Sequence, residues 1–438
     1  MGIFRKIKLW HKVTFGLVAG IIVGVFLGAD LHFNIGTKIY YFKDSVPYIK
    51  VIGDIFIRLI KMIIVPLIYL SIVIGMTSMN DSSSLSRVAT KSIIAFLLTT
   101  SFAIVIGLSA AYFFQPGKGI ALDIVKNGLL PKVQATRDFS LMKIIDDTIP
   151  DNALNALVSG NMLQVVFFSF FTGMIIAKMG KEKRLISSGL KLAAEVVFKM
   201  IHFILELAPY AAFALTTSVV ATQGLSALQN LGMLVLTLLI ALFVQYMLFG
   251  VMIAIFARLS PFPFYKKSLE YQALAFSTSS SKATLATTMD VCSNKLGISK
   301  NSTSFVLPLG AAINMDGMAI YLGICTLFFA QAYGISLTAI DYAVIILTST
   351  LGSIGAAGIP SGTIIMLPMV LSSVSIPIEG IALIVGIDRI LDMLRTTLNI
   401  TGDATITLII DKTEGTLNKL KYYAKPEKLA EGESPLFK

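Results

Sequence analysis

From Val13 to Ile410 the chain is built of long apolar runs, most of them near or above the roughly 20 helical residues that cross the hydrocarbon of a bilayer. At that depth no water satisfies backbone N–H and C=O groups, so such runs must close their hydrogen bonds internally, as helices do. Of the 438 residues, 55% are hydrophobic and 14% charged, with a mean hydropathy of +0.80. That is too little polar surface for a soluble protein of this size, and the expected fold class is an all-α polytopic membrane protein. The net charge of +11 does not point to nucleic acid, because the basic residues flank apolar runs. Arg5, Lys6, Lys8 and Lys12 precede the first run, and Lys412, Lys419, Lys421, Lys425 and Lys428 follow the last. This is the positive-inside pattern of cytoplasmic ends, with membrane lipid around the spans as a partner and phospholipid binding by the two tails as the weaker functional alternative. Cys292 and Cys325 form no CxxC, and His11, His32 and His202 are scattered, so neither a disulfide framework nor a zinc site is expected. No nucleophile and base stand in a catalytic pattern, so the chain is not read as an enzyme and no organic cofactor is expected.

Spans are read over residues 13–29, 48–79 and 92–114, with the Ser-rich loop after Asn80 on the inner side and Pro116-Gly117 closing the third. Residues 117–152 form a polar outer connection, and 153–179 a fourth apolar region broken at Gly160-Asn161. A fifth span over 190–220 contains Pro209, which is expected to kink it, and a sixth over 231–256 returns to Arg258, Lys266 and Lys267.

The pattern then changes. Residues 269–296 have apolar flanks around Ser277-Thr-Ser-Ser-Ser-Lys282, too polar and too short in the middle for a simple span, and Lys295 and Lys300 follow. A re-entrant hairpin from the inner side accounts for this. The seventh span, 304–332, is interrupted at Gly310 and at Asn314-Met-Asp-Gly317. Residues 342–374 are apolar on both arms around Gly352-Ser-Ile-Gly-Ala-Ala-Gly-Ile-Pro-Ser-Gly362, and no Lys or Arg lies between Lys300 and Arg389. This reads as a second hairpin, entering from outside. In the last apolar segment Asp388, Asp392, Arg395, Asn399 and Asp403 recur at steps of three or four, which puts them on one helical face. One charge at mid-membrane costs roughly 2.5–3.5 kcal/mol even on a lenient scale. The stripe therefore requires an internal salt-bridge ladder, a water-filled cavity, or a bound ion or solute.

Irregular backbone at membrane depth is tolerated where it is buried or lines a cavity, and paired breaks in the halves of an inverted repeat point to a transporter's binding site. The first tip, Ser279 to Ser281, and the second, Gly355 to Thr363, are expected to meet over Arg395. Arg395 is a planar fork suited to a carboxylate, and Asp392, one turn away, is suited to an ammonium. An α-amino acid with an acidic side chain satisfies both.

Thr278-Ser-Ser-Ser281, Asn314-Met-Asp-Gly317, Gly355-Ala-Ala-Gly358-Ile-Pro360 and Asp392-Met-Leu-Arg395-Thr-Thr-Leu-Asn399-Ile-Thr-Gly-Asp403 together resemble the dicarboxylate and amino-acid:cation symporters. That family includes the excitatory amino-acid transporters and archaeal aspartate transporters, and the resemblance covers nearly the whole chain. It implies a homotrimer whose subunits have eight transmembrane spans and two re-entrant helical hairpins arranged as inverted repeats. It also implies an elevator-type mechanism, with spans one, two, four and five as scaffold and the rest as mobile transport domain. By position, the substrate contacts implied are Ser279 and Ser281, Ile359 and Thr363, Asp392 for the amine, Arg395 for the side-chain carboxylate, Thr396 and Asn399, with Met318 in a substrate-facing place. The implied sodium sites are Gly310, Asn314, Asn399 and Asp403; Thr99, Thr100, Asn314 and Asp316; and Met315 with the carbonyls of Ala312, Ser353, Ile354 and Ala356.

Three positions depart from the family pattern. Met318 stands where members generally have a threonine, Lys282 replaces a small or acidic residue, and Thr363 sits where archaeal relatives have glycine. The organisation expected is scaffold spans over 1–79, span three over 80–116, the outer connection and scaffold spans four and five over 117–222, and span six over 223–260. The first hairpin then occupies 261–298, span seven 299–335, the second hairpin 336–378, span eight 379–415 and a cytoplasmic tail 416–438. The function expected is sodium-coupled symport of acidic amino acids, aspartate or glutamate, across the plasma (inner) membrane, with sodium ions co-transported and both termini cytoplasmic. C4-dicarboxylate or neutral amino-acid symport on the same fold, proton coupling, and an anion channel stand as alternatives.

Overall fold

The computed structural model describes residues 9–28, 32–35, 38–77, 83–119, 149–159, 162–180, 182–223, 226–355 and 362–424. In chain order its helices are α1 Leu9–Gly28, α2 Val46–Thr77, α3 Ser83–Phe114, α4 Ala153–Ser159, α5 Met162–Lys178, α6 Lys183–Glu206, α7 Ala208–Gln223 and α8 Ser226–Met252. They continue with α9 Pro261–Thr278, α10 Ser281–Asp290, α11 Lys300–Ile313, α12 Asp316–Ala332, α13 Ala339–Gly355, α14 Gly362–Ser373, α15 Ala382–Thr413 and α16 Lys419–Tyr423. The fold is helical as expected, with one short addition: β1 His32–Ile35 and β2 Lys38–Tyr41 pair antiparallel between α1 and α2, with Phe33 opposite Tyr40 and Ile35 opposite Lys38. The density of aromatic and β-branched residues there favours a pleated pair over a helix. Pro209 also acts differently from expectation. It does not kink a continuous span; α6 stops at Glu206 and Pro209 sits in the first turn of α7, where its missing N–H leaves no hydrogen bond unmade.

Three helical stretches among the described residues are long and apolar enough to cross a membrane: Thr90–Phe114, Gln229–Ala257 and Lys300–Ala332. Phe15–Gly28, Phe167–Lys178, Ala208–Thr222, Ala339–Ser353 and Gly362–Ser373 are apolar but shorter. Near the N-terminus, Gly16, Gly20, Gly24 and Gly28 form one stripe of α1 lying on α7. A Cβ at Gly16 would meet the Pro209 carbonyl oxygen at 2.3 Å, and one at Gly20 the Phe213 carbonyl oxygen at 2.6 Å. Small residues are what let two helices approach this closely where lipid supplies no hydrophobic drive.

α15 is the centre of the C-terminal half and packs against α8, α9, α11 and α12. α12 is buried along its whole length apart from Gln331, as expected of a helix that is apolar all round. The first hairpin turns at two serines. Ser279 takes left-handed backbone (φ +50°) and its N–H closes α9 on the Ala275 carbonyl, while Ser280 Oγ accepts the Ala283 N–H at 3.3 Å and caps α10. Of the two interruptions expected in residues 304–332, the one at Asn314-Met315 is present, with α11 ending at Ile313 and α12 restarting at Asp316, whereas α11 runs unbroken through Gly310. In α15 the hydroxyls of Thr401, Thr405 and Thr407 donate to the carbonyls four residues back at 2.6–2.8 Å, so these buried hydroxyls need no outside partner.

At the end of α15 away from the stripe, the chain turns onto the base of the first hairpin. Buried Lys267 Nζ donates to the carbonyls of Lys295, Lys421 and Tyr422 at 2.6–2.9 Å, and Tyr422 Oη donates to the Ser260 carbonyl at 2.8 Å. Asp411 accepts from Ser299 N and Oγ at 3.0 and 2.6 Å. Glu414 pairs with Arg87 and Lys91 of α3 at 2.5 and 2.6 Å, and those two cations hold its carboxyl below the usual glutamate range.

Candidate functional site

The hairpin tip, the α11–α12 break and the α15 stripe converge on one cavity of about 20 Å³, lined by Ser279, Ser281, Met315, Met318, Gly362, Thr363, Asp392, Arg395, Thr396 and Asn399. That volume is on the scale of a single ordered water. Of the substrate contacts implied by position, all but Ile359 line it; Ile359, like Ala356, lies outside the described residues. Gly362, at the start of α14, lines it as well; it belongs to the Gly355 to Thr363 stretch expected over Arg395, although it was not given a contact of its own.

Arg395 is 1% exposed. Its Nη2 donates to Asp388 Oδ1 at 2.8 Å and to Asp392 Oδ1 at 3.1 Å, and its guanidinium lies over the Tyr321 ring at 4.3 Å. Nε and Nη1 have no hydrogen-bond partner among the described residues. Burying a guanidinium is tolerable only when paired, and two carboxylates plus a π-face supply that pairing. Asp392 is further engaged by Arg389 Nη1 at 3.6 Å. Sequence reasoning put Asp388 on the stripe but assigned it no role; its place seven residues before Arg395 on the same face was the available signal. Tyr321 had none, because an aromatic residue in an apolar helix reads as packing.

A second polar cluster joins α3 to α11, α12 and α15. Asn314 Nδ2 donates to Asp403 Oδ1 at 2.9 Å, Thr100 Oγ1 donates to Asp316 Oδ1 at 3.0 Å, and the Thr99 and Thr100 hydroxyls lie 3.4 and 3.2 Å from Asn314 Oδ1. A Cβ at Gly310 would stand 2.6 Å from Asp403 Oδ1, so Gly310, Asn314 and Asp403 meet. Asn399 turns elsewhere, accepting the Gly317 N–H at 2.7 Å and donating to Met315 Sδ at 3.3 Å. Ala312 and Ser353, with Ile354, stand in the last turns of α11 and α13, where helix carbonyls lack intrahelical partners. Asp316 and Asp403 are wholly buried, and neither pairs with a Lys, Arg or His among the described residues. Two such carboxylates are stable only with a bound cation or proton, and the surrounding oxygens are the ligands a hard cation takes. Gln245 of α8 reaches this cluster, its Nε2 lying 3.4 Å from Asp316 Oδ2. A glutamine inside an apolar span carries no spacing signal.

The model of the sodium:dicarboxylate symporter family matches residues 9–413. The chain is 35% identical to the proton/sodium-glutamate symport protein of Bacillus caldotenax, over 95% of this chain and 97% of that one. It is 33% identical to the proton/glutamate-aspartate symporter of Escherichia coli over 96% of both chains. It is also 33% identical to the C4-dicarboxylate transport protein of Azorhizobium caulinodans, over 95% of this chain and 92% of that one. These relatives are transporters and not enzymes, and the apolar helices make this chain a membrane protein as well. With its match running from the first helix to the end of the charged-stripe helix, the chain belongs to the sodium:dicarboxylate symporter family.

Proposed function

We infer that the protein is a sodium-coupled symporter of acidic amino acids, aspartate or glutamate. The observation that carries this reading is the buried Arg395, whose Nε and Nη1 are left over for a carboxylate, beside Asp392 as acceptor for an ammonium. The substrate contacts are Ser279, Ser281, Ile359, Thr363, Asp392, Arg395, Thr396 and Asn399, with Met318 presenting an apolar face where a hydroxyl is usual in the family. Sodium ions are taken by the oxygens of Thr99, Thr100, Asn314 and Asp316; by Gly310, Asn314, Asn399 and Asp403; and by Met315 with the carbonyls of Ala312, Ser353, Ile354 and Ala356. The two buried carboxylates Asp316 and Asp403, which have no Lys, Arg or His partner among the described residues, support cation coupling. The relatives named for glutamate symport support the substrate class.

The architecture that goes with this reading is a homotrimer of subunits with eight spans and two hairpins as inverted repeats, both termini cytoplasmic, in the plasma (inner) membrane. Spans one, two, four and five stay fixed, and the remainder moves as an elevator.

A second reading, C4-dicarboxylate symport, is favoured by one observation: Asp392 is already engaged by Arg395 and Arg389, so an ammonium must compete for it; proton coupling is supported by the names of the glutamate relatives. The two readings separate in proteoliposomes under an inward sodium gradient, with uptake measured in competition among aspartate, glutamate, succinate, serine and methionine. Sodium-dependent accumulation blocked by aspartate and glutamate supports the first. Accumulation blocked by succinate alone, or driven by a pH gradient without sodium, replaces it with the second.

A further inference from the structure

Gln245 sits in the apolar run Gln229–Ala257 and is wholly buried. Its Oε1 has no hydrogen-bond partner among the described residues, and its Nε2 reaches Asp316 Oδ2 only at 3.4 Å, longer than a well-formed N–H···O bond. Native proteins leave few buried polar atoms unmatched, and a glutamine in a span needs a polar partner inside the protein. The amide oxygen and nitrogen exchange places by a half-turn about the last side-chain torsion, with almost no change in shape. Asp316 is likewise incompletely served: Oδ1 accepts from Thr100 at 3.0 Å, and among the described residues Oδ2 has only the long contact to Gln245.

We propose that Gln245 is a ligand of the cation held by Thr99, Thr100, Asn314 and Asp316, and that its amide takes the cation's place when the site is empty. The inference rests on the reading of that cluster as a sodium site. With sodium present, Oε1 turns inward and completes an all-oxygen set whose one carboxylate matches one monovalent charge. With sodium gone, the amide turns back and Nε2–H points at Asp316, so the carboxylate keeps a donor while the unloaded protein returns. A single neutral side chain thus stabilises both the loaded and the empty site, which neither a carboxylate nor an aliphatic residue does.

The test uses the purified full-length protein in detergent without substrate. Its thermal unfolding midpoint is followed against sodium chloride at constant ionic strength, with choline chloride as balance, for wild type, Gln245→Leu and Gln245→Glu. Gln245→Leu removes one ligand and is expected to raise the half-saturating sodium concentration about tenfold, the factor that one charge-assisted contact commands. Gln245→Glu keeps an oxygen at the site and is expected to hold half-saturation at or below the wild-type value. Identical sodium curves for wild type and Gln245→Leu overturn the ligand role while leaving the sodium site standing. Equal weakening in the Leu and Glu variants marks a packing defect and overturns it too. A wild type whose midpoint ignores sodium removes the sodium reading itself, and this inference with it.

Discussion

Arg395 Nη2 reaches back along its own helix to Asp388 Oδ1 at 2.8 Å, two turns towards the N-terminus, and both side chains are almost wholly buried. Helical side chains lean towards the N-terminal end, so the arginine passes Asp392 on the way and takes its Oδ1 at 3.1 Å. The guanidinium is held at one nitrogen by two carboxylates and on its face by Tyr321, which fixes its plane before any ligand arrives. Among the described residues Nε and Nη1 have no partner, and they are the part of the fork that the proposed carboxylate contact would use.

If that fork is the carboxylate clamp, Arg395→Cys abolishes uptake of aspartate and glutamate. Hydrogen bonds to a charged group contribute about 1.5–3 kcal/mol each, so the loss is on the order of 10- to 150-fold per bond. Initial rates in proteoliposomes check this, with size-exclusion chromatography to show that assembly is retained. Undiminished uptake of both amino acids removes Arg395 from the site.

Among the described residues the Asp403 carboxylate accepts only from Asn314 Nδ2, at Oδ1, and its Oδ2 is unpartnered. Asp403→Asn deletes the negative charge at that position, and the sodium activation curve of uptake is expected to move to concentrations at least about tenfold higher. An activation curve superimposable on the wild type contradicts a cation at Asp403.

Gly317 opens α12 against the backbone of α15: a Cβ there would lie 2.7 Å from the Arg395 carbonyl oxygen and 2.9 Å from its Cα. Backbone cannot step aside as a side chain can, so Gly317→Ala is expected to cost about 1–3 kcal/mol and to loosen the Gly317 N–H···Asn399 contact. Chemical unfolding of the detergent-solubilised protein measures the first effect, and a fall in substrate affinity the second. Wild-type stability in the variant means that the two helices separate without cost.

Arg87 and Lys91 lower the Glu414 carboxyl pKa below the usual range, and the sign of the linkage follows from that direction. A carboxylate depressed in the folded state adds stability that is present above its unfolded pKa and is lost as pH falls through the folded one. The thermal midpoint of Glu414→Gln is therefore expected below that of wild type at about pH 7, with the gap closing as pH falls below about 4, the ordinary glutamate range. A gap that stays constant across that interval assigns the effect to something other than the ion pairs.

Much of this was legible in the chain itself. The helical, membrane-embedded class follows from apolar runs whose backbones have no other way to satisfy themselves. The turn at Ser279-Ser280 and the break at Asn314-Met315 follow from residues that favour caps and turns over helix interiors. The common face of Asp388, Asp392, Arg395, Asn399 and Asp403 follows from the helical period. All of these depend on neighbours a few residues away, and so a sequence read in order determines them.

The tertiary structure decided which groups meet. The sequence offered Asp392 to an ammonium, and packing engages it with Arg395 and Arg389 as well. Thr100 reaches Asp316 across 216 positions and Gln245 across 71, separations at which no local pattern chooses a partner. Lys267 finds carbonyls on two other segments, and β1 pairs with β2 in a chain that otherwise reads as helix throughout. The reason is physical: a buried polar group must be satisfied by whatever the fold brings within hydrogen-bond reach. That depends on the packing of whole helices, which the order of residues along any one of them does not contain.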